Sequence, residues 1–196
     1  LRRILHAHRG LIREEIKSFT RRKELNRVAL LEEFEGAIKA HHEVLVIRVD
    51  LYYARDCLKD ITIHDFYQHI GKLRDLITDK NGYFDALLTY AIALEHGITK
   101  GFHMHLAFVI NESKYRNDYN IAKWVIEKWQ EITLGKGYGW NNNTTENKKN
   151  YYDQGTLGIG VIRRTEPDQG NNALKTIAYL SDPDKYEQSL LVKPRG

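Results

Sequence analysis

A single cysteine, Cys57, in 196 residues leaves no disulfide framework and no cysteine-rich zinc site, and it suits a reducing compartment. No apolar run approaches the roughly 18 residues of a membrane span. The opening LRRILHAHRG has neither the apolar stretch nor the small-residue cleavage site of a secretory signal, so a cytoplasmic chain with no membrane partner is expected. Internal repeats are absent, and so are the paired H-x-S/T motifs on which two-histidine phosphoesterases depend. Charge of one sign is also scarce: the surplus is +4 from 30 Lys/Arg and 26 Asp/Glu. All of it falls within residues 1–40, which hold 10 Lys/Arg and 6 Asp/Glu, and the rest of the chain is formally neutral. A polyanionic partner is therefore permitted mainly at the N-terminal end.

Residues 1–41 read as a basic helical extension, with Leu25, Val28, Leu31, Phe34 and Ile38 three or four apart and Gly and Pro nearly absent. From Val44 the period changes to two in VLVIRVDLYY, a strand opening a domain over residues 42–196. Residues 62–79 return to helical spacing through Ile63, Phe66, Ile70, Leu73 and Ile77, with Thr62 as N-cap. Two apolar runs follow, ALLTYAIALEH and FHMHLAFVI, joined by GITKG as a hairpin loop. A second amphipathic helix through Ile121, Trp124, Val125, Trp129 and Ile132 ends at Gly-Lys-Gly-Tyr-Gly, and WNNNTTENKKNYYDQG reads as a long polar loop. TLGIGVIRR reads as a fourth strand, and residues 171–182 as a last helix stopped by Pro183. The predicted fold class is α+β. It is a ferredoxin-like or RRM-like β-α-β-β-α-β antiparallel sheet with an added C-terminal helix and an N-terminal helical extension.

Alternation sorts the faces of the sheet. Leu45, Ile47, Val49 and Leu51 oppose Arg48, Asp50 and Tyr52; Leu88, Tyr90, Ile92 and Leu94 oppose Thr89, Ala91, Ala93 and Glu95. Phe102, Met104, Leu106 and Phe108 oppose His103, His105 and Ala107, and Leu157, Ile159 and Val161 oppose Gly158 and Gly160. The apolar side takes the crossover helices, which leaves the other as the working surface. His103 and His105, at i and i+2, project together there. A loop at residues 97–101 sets Glu95 directly opposite His103, with Cβ atoms about 5 Å apart. Two imidazoles and a carboxylate make a facial site for a divalent cation with open positions. His6 and His8 repeat the spacing, but on a helix they diverge.

The last helix should cover part of this face, with Lys175 and Tyr179 projecting together at i and i+4. Tyr179 there can act as a nucleophile, and Lys175 can stabilise its phenolate or hold a phosphate. Gly158 and Gly160 allow backbone or substrate to approach closely. Tyr52, Tyr138, Trp140, Tyr151 and Tyr152 are candidates for stacking bases, with Trp140 and the Asn-rich loop as a substrate lip. Arg48, Arg163 and Arg164 are candidate DNA contacts, and Arg2-Arg3 and Arg21-Arg22-Lys23 candidate contacts to duplex DNA.

These residues resemble a known family. His103-Met104-His105 is similar to the His-hydrophobic-His signature of the HUH endonucleases, Glu95 falls where many members carry an acidic third ligand, and Tyr179 resembles their catalytic tyrosine. VLVIRVDLYY resembles their first strand motif, and the general resemblance covers about residues 42–186. The whole chain is similar, more narrowly, to replication-initiator-like proteins of filamentous phages and enterobacterial prophages, in which a helical region precedes the HUH domain. In one respect it departs from the pattern. Family members carry a Lys three or four residues after the Tyr, where this chain has Asp182 and Pro183, so the lysine role falls to Lys175 or Lys185, and Tyr186 is a second candidate nucleophile.

The resemblance implies nicking and joining of single-stranded DNA at an origin or hairpin through a 5′-phosphotyrosine, as in rolling-circle replication, with Mn2+ or Mg2+ on Glu95, His103 and His105. A second expectation, from another class, is a non-catalytic nucleic-acid binding module using an RRM-like sheet. A third is a metal-dependent hydrolase that forms no covalent intermediate.

Overall fold

The computed structural model describes residues 8–180 of the chain. Arg2, Arg3, His6, Asp182, Pro183, Lys185 and Tyr186 lie outside the described residues. Helix α1 (Arg9–Ala40) leads into strand β1 (Glu43–Tyr53), helix α2 (Ile63–Thr78), a 3-10 turn (Gly82–Ala86) and the strands β2 (Leu87–Gly97) and β3 (Gly101–Asn111). Helix α3 (Asp118–Ile132), strand β4 (Gly137–Asn141), helix α4 (Thr145–Asp153), strand β5 (Gly160–Arg163) and helix α5 (Pro167–Leu180) complete the order. All strand pairings are antiparallel in the order β2-β3-β1-β4, with β5 also on β1. This is the expected α+β sheet with its helical additions.

The apolar face forms as the alternation dictates. Leu45, Ile47, Val49 and Leu51 from β1 and Met104, Leu106 and Phe108 from β3 bury against Phe66, Ile70 and Leu73 of α2 and Ile121, Val125 and Trp129 of α3. Thr62 caps α2 in a reciprocal box: its hydroxyl accepts from the Asp65 N–H, and the Asp65 carboxylate accepts from the Thr62 N–H. On β2 a bulge between Leu87 and Thr89 shifts the pairing, so Leu88 packs on the opposite face from Tyr90, Ile92 and Leu94.

Where four strands were expected, the far edge of β1 carries two short ones end to end. Strand β5 pairs with residues 43–46 of β1 and β4 with residues 49–53. Gly-Lys-Gly-Tyr-Gly is thus not simply a helix end, and the polar stretch after it is not one long loop. A Cβ on Gly137 would lie 2.5 Å from Trp129 Nε1, and one on Gly139 2.6 Å from Ile126, so glycine is what lets β4 lie directly on α3. Asparagines fill the gap between β4 and β5. The Asn143 side chain accepts from the Arg48 N–H at 2.8 Å and donates to Val46 O at 2.9 Å, while the Asn142 N–H donates to Arg48 O at 3.2 Å. Asn143 is wholly buried, so this part of the Asn-rich stretch completes the ladder of β1. Asp118 at the start of α3 ties the segment down, accepting from Lys148 Nζ at 2.7 Å and Asn143 Nδ2 at 2.9 Å.

The second face is polar only in part. Val44, Val46, Ala91, Ala107 and Val109 form another core with Ala173, Ile177 and Leu180 of α5 and with Phe34 and Ile38 of α1. Helix α1 runs about 48 Å at 1.5 Å per residue, and its two ends differ. Phe34 is buried on the sheet, whereas Leu11, Ile16 and Leu25 are largely exposed. Phe34→Ala is expected to cost about 3–5 kcal/mol in urea unfolding, and Leu25→Ala no more than about 0.5 kcal/mol. Equal costs would mean that the exposed end is packed in solution. No helix among the described residues is long and apolar enough to cross a membrane.

Candidate metal centre

The register places the chemistry. Gly97 pairs with Gly101, His96 with Phe102 and Glu95 with His103, as the loop length implies, and Asp50 of β1 lies opposite His105. Since directly opposed residues share a face, two rows cross this face of the sheet: Trp140, Asp50, His105 and Ala93, and then Tyr138, Tyr52, His103 and Glu95.

The ligand atoms of Glu95, His103 and His105 all lie within 4.8 Å of one another, and all three side chains are buried. Each imidazole has one nitrogen committed elsewhere. His103 Nδ1 is 3.0 Å from Gly101 O and His105 Nδ1 is 2.6 Å from Asp50 Oδ1; both partners accept only, so the Nδ1 protons donate to them. This turns both Nε2 atoms inward, 3.4 Å and 3.5 Å from Glu95 Oε2. Those separations exceed the roughly 2.7–2.9 Å of a charge-assisted hydrogen bond. They approach the spacing of two donors on one ion, about 3–3.5 Å for bonds of about 2.1 Å. His103 is only 1 % exposed, yet its Nε2 has no hydrogen-bond partner. A buried acceptor left in that condition costs roughly 1–3 kcal/mol, and a cation between the three groups would satisfy it. The triad can hold a metal ion.

Asp50 is the participant that the sequence reading left without a role. Its Oδ1 accepts from His105, its Oδ2 accepts from Asn142 Nδ2 at 3.2 Å, and Arg48 Nε stands 3.8 Å from Oδ1. A carboxylate behind a ligating imidazole fixes its tautomer and raises its basicity. Burial alone would push the Asp50 carboxyl up, but the hydrogen bond and charge of His105, then Arg48 and Asn142, outweigh it and hold the group below its ordinary 3.8. Burial would likewise pull His105 down, but its bonds and charge interactions with Asp50 and Glu95 raise it above 6.5.

The sign of the pH effect follows for the metal-free chain. The raised His105 contributes stability that is complete below 6.5 and is lost as pH rises through its folded value. The lowered Asp50 contributes stability above 3.8 that is lost as pH falls through its own. Thermal stability in chelator should therefore fall as pH rises above 6.5 and through the folded value of His105, and Asp50→Asn should flatten that slope. An undiminished slope in the variant would place the titrating group elsewhere.

Around the triad the face is aromatic. The Tyr52 ring stacks on His103 with centroids 5.5 Å apart and on Tyr138 at 5.3 Å, and Lys100 Nζ lies 5.7 Å from its centroid. Trp140 is exposed beside them on β4. Burial, then the Asp50 charge, pushes the Tyr52 hydroxyl well up, so this tyrosine stays a neutral phenol beside the ligands.

Tyr179 comes to the same face from α5. Its half-exposed ring lies over the Arg48 guanidinium, with the centroid 5.2 Å from Cζ, and Arg48 in turn lies beside Asp50. Lys175, one turn earlier, lines a cleft with Arg48. Close approach at Gly158 is met by α5 itself: a Cβ there would lie 2.3 Å from the Asn172 backbone. Arg163 is not brought to the site. It pairs with Glu43 at the far end of β1, about 23 Å along the strand from Asp50, and its guanidinium bonds Glu43 at 2.8 Å and meets Glu166 at 3.4 Å. Arg164 is exposed at that same end, where its N–H bonds His42 O.

The curated proteins contain no match to the chain. Among protein families, the YagK/YfjJ C-terminal domain model matches residues 14–189, covering α1 from residue 14 onward and the whole described sheet. The chain belongs to the YagK/YfjJ C-terminal domain family.

Proposed function

We propose that this protein nicks and rejoins single-stranded DNA by the HUH strategy, as an initiator of rolling-circle replication in a phage, prophage or plasmid does. The observation that carries the reading is the meeting of two elements on one face: the Glu95-His103-His105 triad, and the helix that sets Tyr179 over Arg48 two residues from Asp50. Glu95, His103 and His105 would hold a divalent cation, which when bound would supply charge to polarise a phosphodiester and offset the charge that develops at phosphorus. Manganese accepts imidazole more readily, while magnesium is the ion expected in a reducing, cytoplasmic setting.

The residues of the chain supply the rest. The Tyr179 oxygen forms a bond to phosphorus as the bond from phosphorus to the 3′ oxygen breaks, and the phenol proton passes by way of solvent to the departing oxygen, leaving a 5′-phosphotyrosine and a free 3′-hydroxyl. Attack by that hydroxyl restores the strand and releases the tyrosine. Arg48 lies beneath the ring as a fixed cation beside the reacting groups. Tyr52, Tyr138 and Trp140 offer faces on which unpaired bases stack. The basic exposed end of α1, with Arg21, Arg22 and Lys23, is assigned general attraction to duplex DNA.

Incubation with Mn2+ and single-stranded oligonucleotides from the flanking genome tests the reading. A protein–DNA adduct that survives denaturation is expected, and chelator should prevent it. Tight binding with no cleavage would favour the second reading, a non-catalytic RRM-like module, to which the Tyr138-Tyr52-His103 stack is also suited.

A further inference from the structure

Beside the metal centre lies a cleft that shares Arg48 with the chemistry above and whose other residues that chemistry does not use. It measures about 220 Å³ and runs between α5 and the segment joining α4 to β5, lined by Arg48, Tyr151, Thr156, Ile159, Asn172 and Lys175 among others. Its two charged lining residues are both cations, in a domain whose formal charge is balanced as a whole.

The other polar groups of the lining are mostly engaged within the protein. Asn172 Nδ2 donates to Gly155 O, and the Thr156 and Thr176 hydroxyls donate to Tyr151 O and Asn172 O. The cations are held loosely. Lys175 Nζ is 3.5 Å from Asn172 Oδ1, at the limit of a hydrogen bond, and Arg48 Nε is buried with no hydrogen-bond partner. Asp50 stands 3.8 Å from that nitrogen, too far to satisfy it. A partly buried guanidinium whose Nε has no hydrogen-bond partner, and an exposed ammonium lining the same cleft, suit a phosphate, which accepts from both. The remaining wall is Ile159 and the partly buried Tyr151, suited to a base or sugar.

Placement adds the argument for a strand rather than a free anion. Arg48 faces the cleft and also lies under the Tyr179 ring, and on β1 it is two residues from Asp50 and four from Tyr52. At about 3.3 Å per residue, the distance from Arg48 to the Tyr52-His103 stack is roughly 13 Å, a length that a few nucleotides of a single strand can cover.

We infer that this cleft is a nucleotide subsite for single-stranded DNA, taking a phosphate between Arg48 and Lys175 and the attached base or sugar against Tyr151 and Ile159, so that the strand passes Tyr179 toward the triad. The inference rests on the DNA-nicking reading for the identity of the strand, but the binding it describes needs neither metal nor nucleophile.

The test uses the full chain in chelator, with fluorescence anisotropy of a labelled ten-residue oligothymidylate over a range of salt. Lys175→Gln is expected to weaken binding severalfold and to make the salt slope shallower by about 0.7. Lys123→Gln, on the exposed side of α3 across the sheet, is the charge-matched control and should leave both unchanged. Tyr151→Leu should weaken binding by about fivefold or more with the slope intact, because stacking releases no counterions. Circular dichroism on each variant establishes that it is folded. Wild-type affinity and slope in Lys175→Gln, or an equal loss in Lys123→Gln, would overturn the phosphate site, and wild-type affinity in Tyr151→Leu would overturn the base contact. A chain that binds in this variant-sensitive way but never forms an adduct upholds the cleft and refutes the nicking chemistry. One that forms the adduct while Lys175→Gln binds as wild type refutes the cleft alone.

Discussion

Tyr179→Phe should eliminate the covalent adduct with single-stranded DNA, lowering nicking by about 10³-fold or more, while leaving oligonucleotide affinity within about twofold of wild type. The substitution removes one oxygen and keeps the ring that lies 5.2 Å from Arg48 Cζ, so the packing of α5 and the position of Arg48 should persist. Loss of chemistry with retention of binding separates a nucleophile from a tyrosine that merely holds the helix. Tyr52 is the obvious competitor, since it stacks on His103, but burial and the Asp50 charge keep its hydroxyl protonated. Tyr52→Phe should therefore keep the adduct. Mass mapping of the tyrosine-linked fragment decides between Tyr179 and Tyr186, which lies outside the described residues. An adduct that persists in Tyr179→Phe sinks the assignment, and cleavage that persists without any adduct points to a hydrolase.

How far the sequence reveals this site differs from strand to strand. The β2-β3 hairpin is local: a short loop that pairs Gly97 with Gly101 fixes the register, and alternation then forces Glu95 and His103 to meet. The two central strands are likewise long, and Arg48, Asp50, His103 and His105 at every second position mark their polar face, although residues 44–47 and 106–110 are apolar on both sides. Asp50 is harder to find, because its role depends on β1 pairing with β3 across 55 residues of sequence, which periodicity within either strand does not encode. Its signal is a carboxylate on the polar face of a strand that must neighbour the H-x-H strand.

The edge of β1 is where local pattern and tertiary structure part. Strand β4 is only Gly-Tyr-Gly-Trp-Asn, and its glycines, which read as a terminator, are required because Trp129 and Ile126 leave no room for a Cβ. The polar helix α4 buries none of its residues and is held by the Thr144 cap and the Lys148–Asp118 pair, so no apolar stripe announces it. The same blindness to tertiary packing applies to α1, whose apolar spacing is continuous while only its last turns meet the sheet. Nothing in the periodicity of Leu25 and Phe34 distinguishes the exposed residue from the buried one.

His103→Leu should abolish metal binding while leaving the metal-free fold intact, an outcome that a purely structural histidine would not give. In the wild-type chain, Mn2+ at about 100 times its dissociation constant should add about 2.7 kcal/mol to stability, read as a rise in the unfolding temperature. Removing one of three ligands should weaken affinity by more than the roughly 10–100-fold typical of losing a supporting residue such as Asp50, so the rise should vanish at the same concentration. The metal-free protein should respond differently. His103 buries an Nε2 atom without a partner, and leucine replaces it with apolar surface of similar size at a position that is already buried. Against this stands the lost bond from His103 Nδ1 to Gly101 O, worth about 1 kcal/mol, so the metal-free unfolding temperature should hold or rise. A variant that melts far below wild type in chelator, or that keeps the full metal-dependent rise, would falsify the assignment of His103 as a ligand carried at a cost to stability.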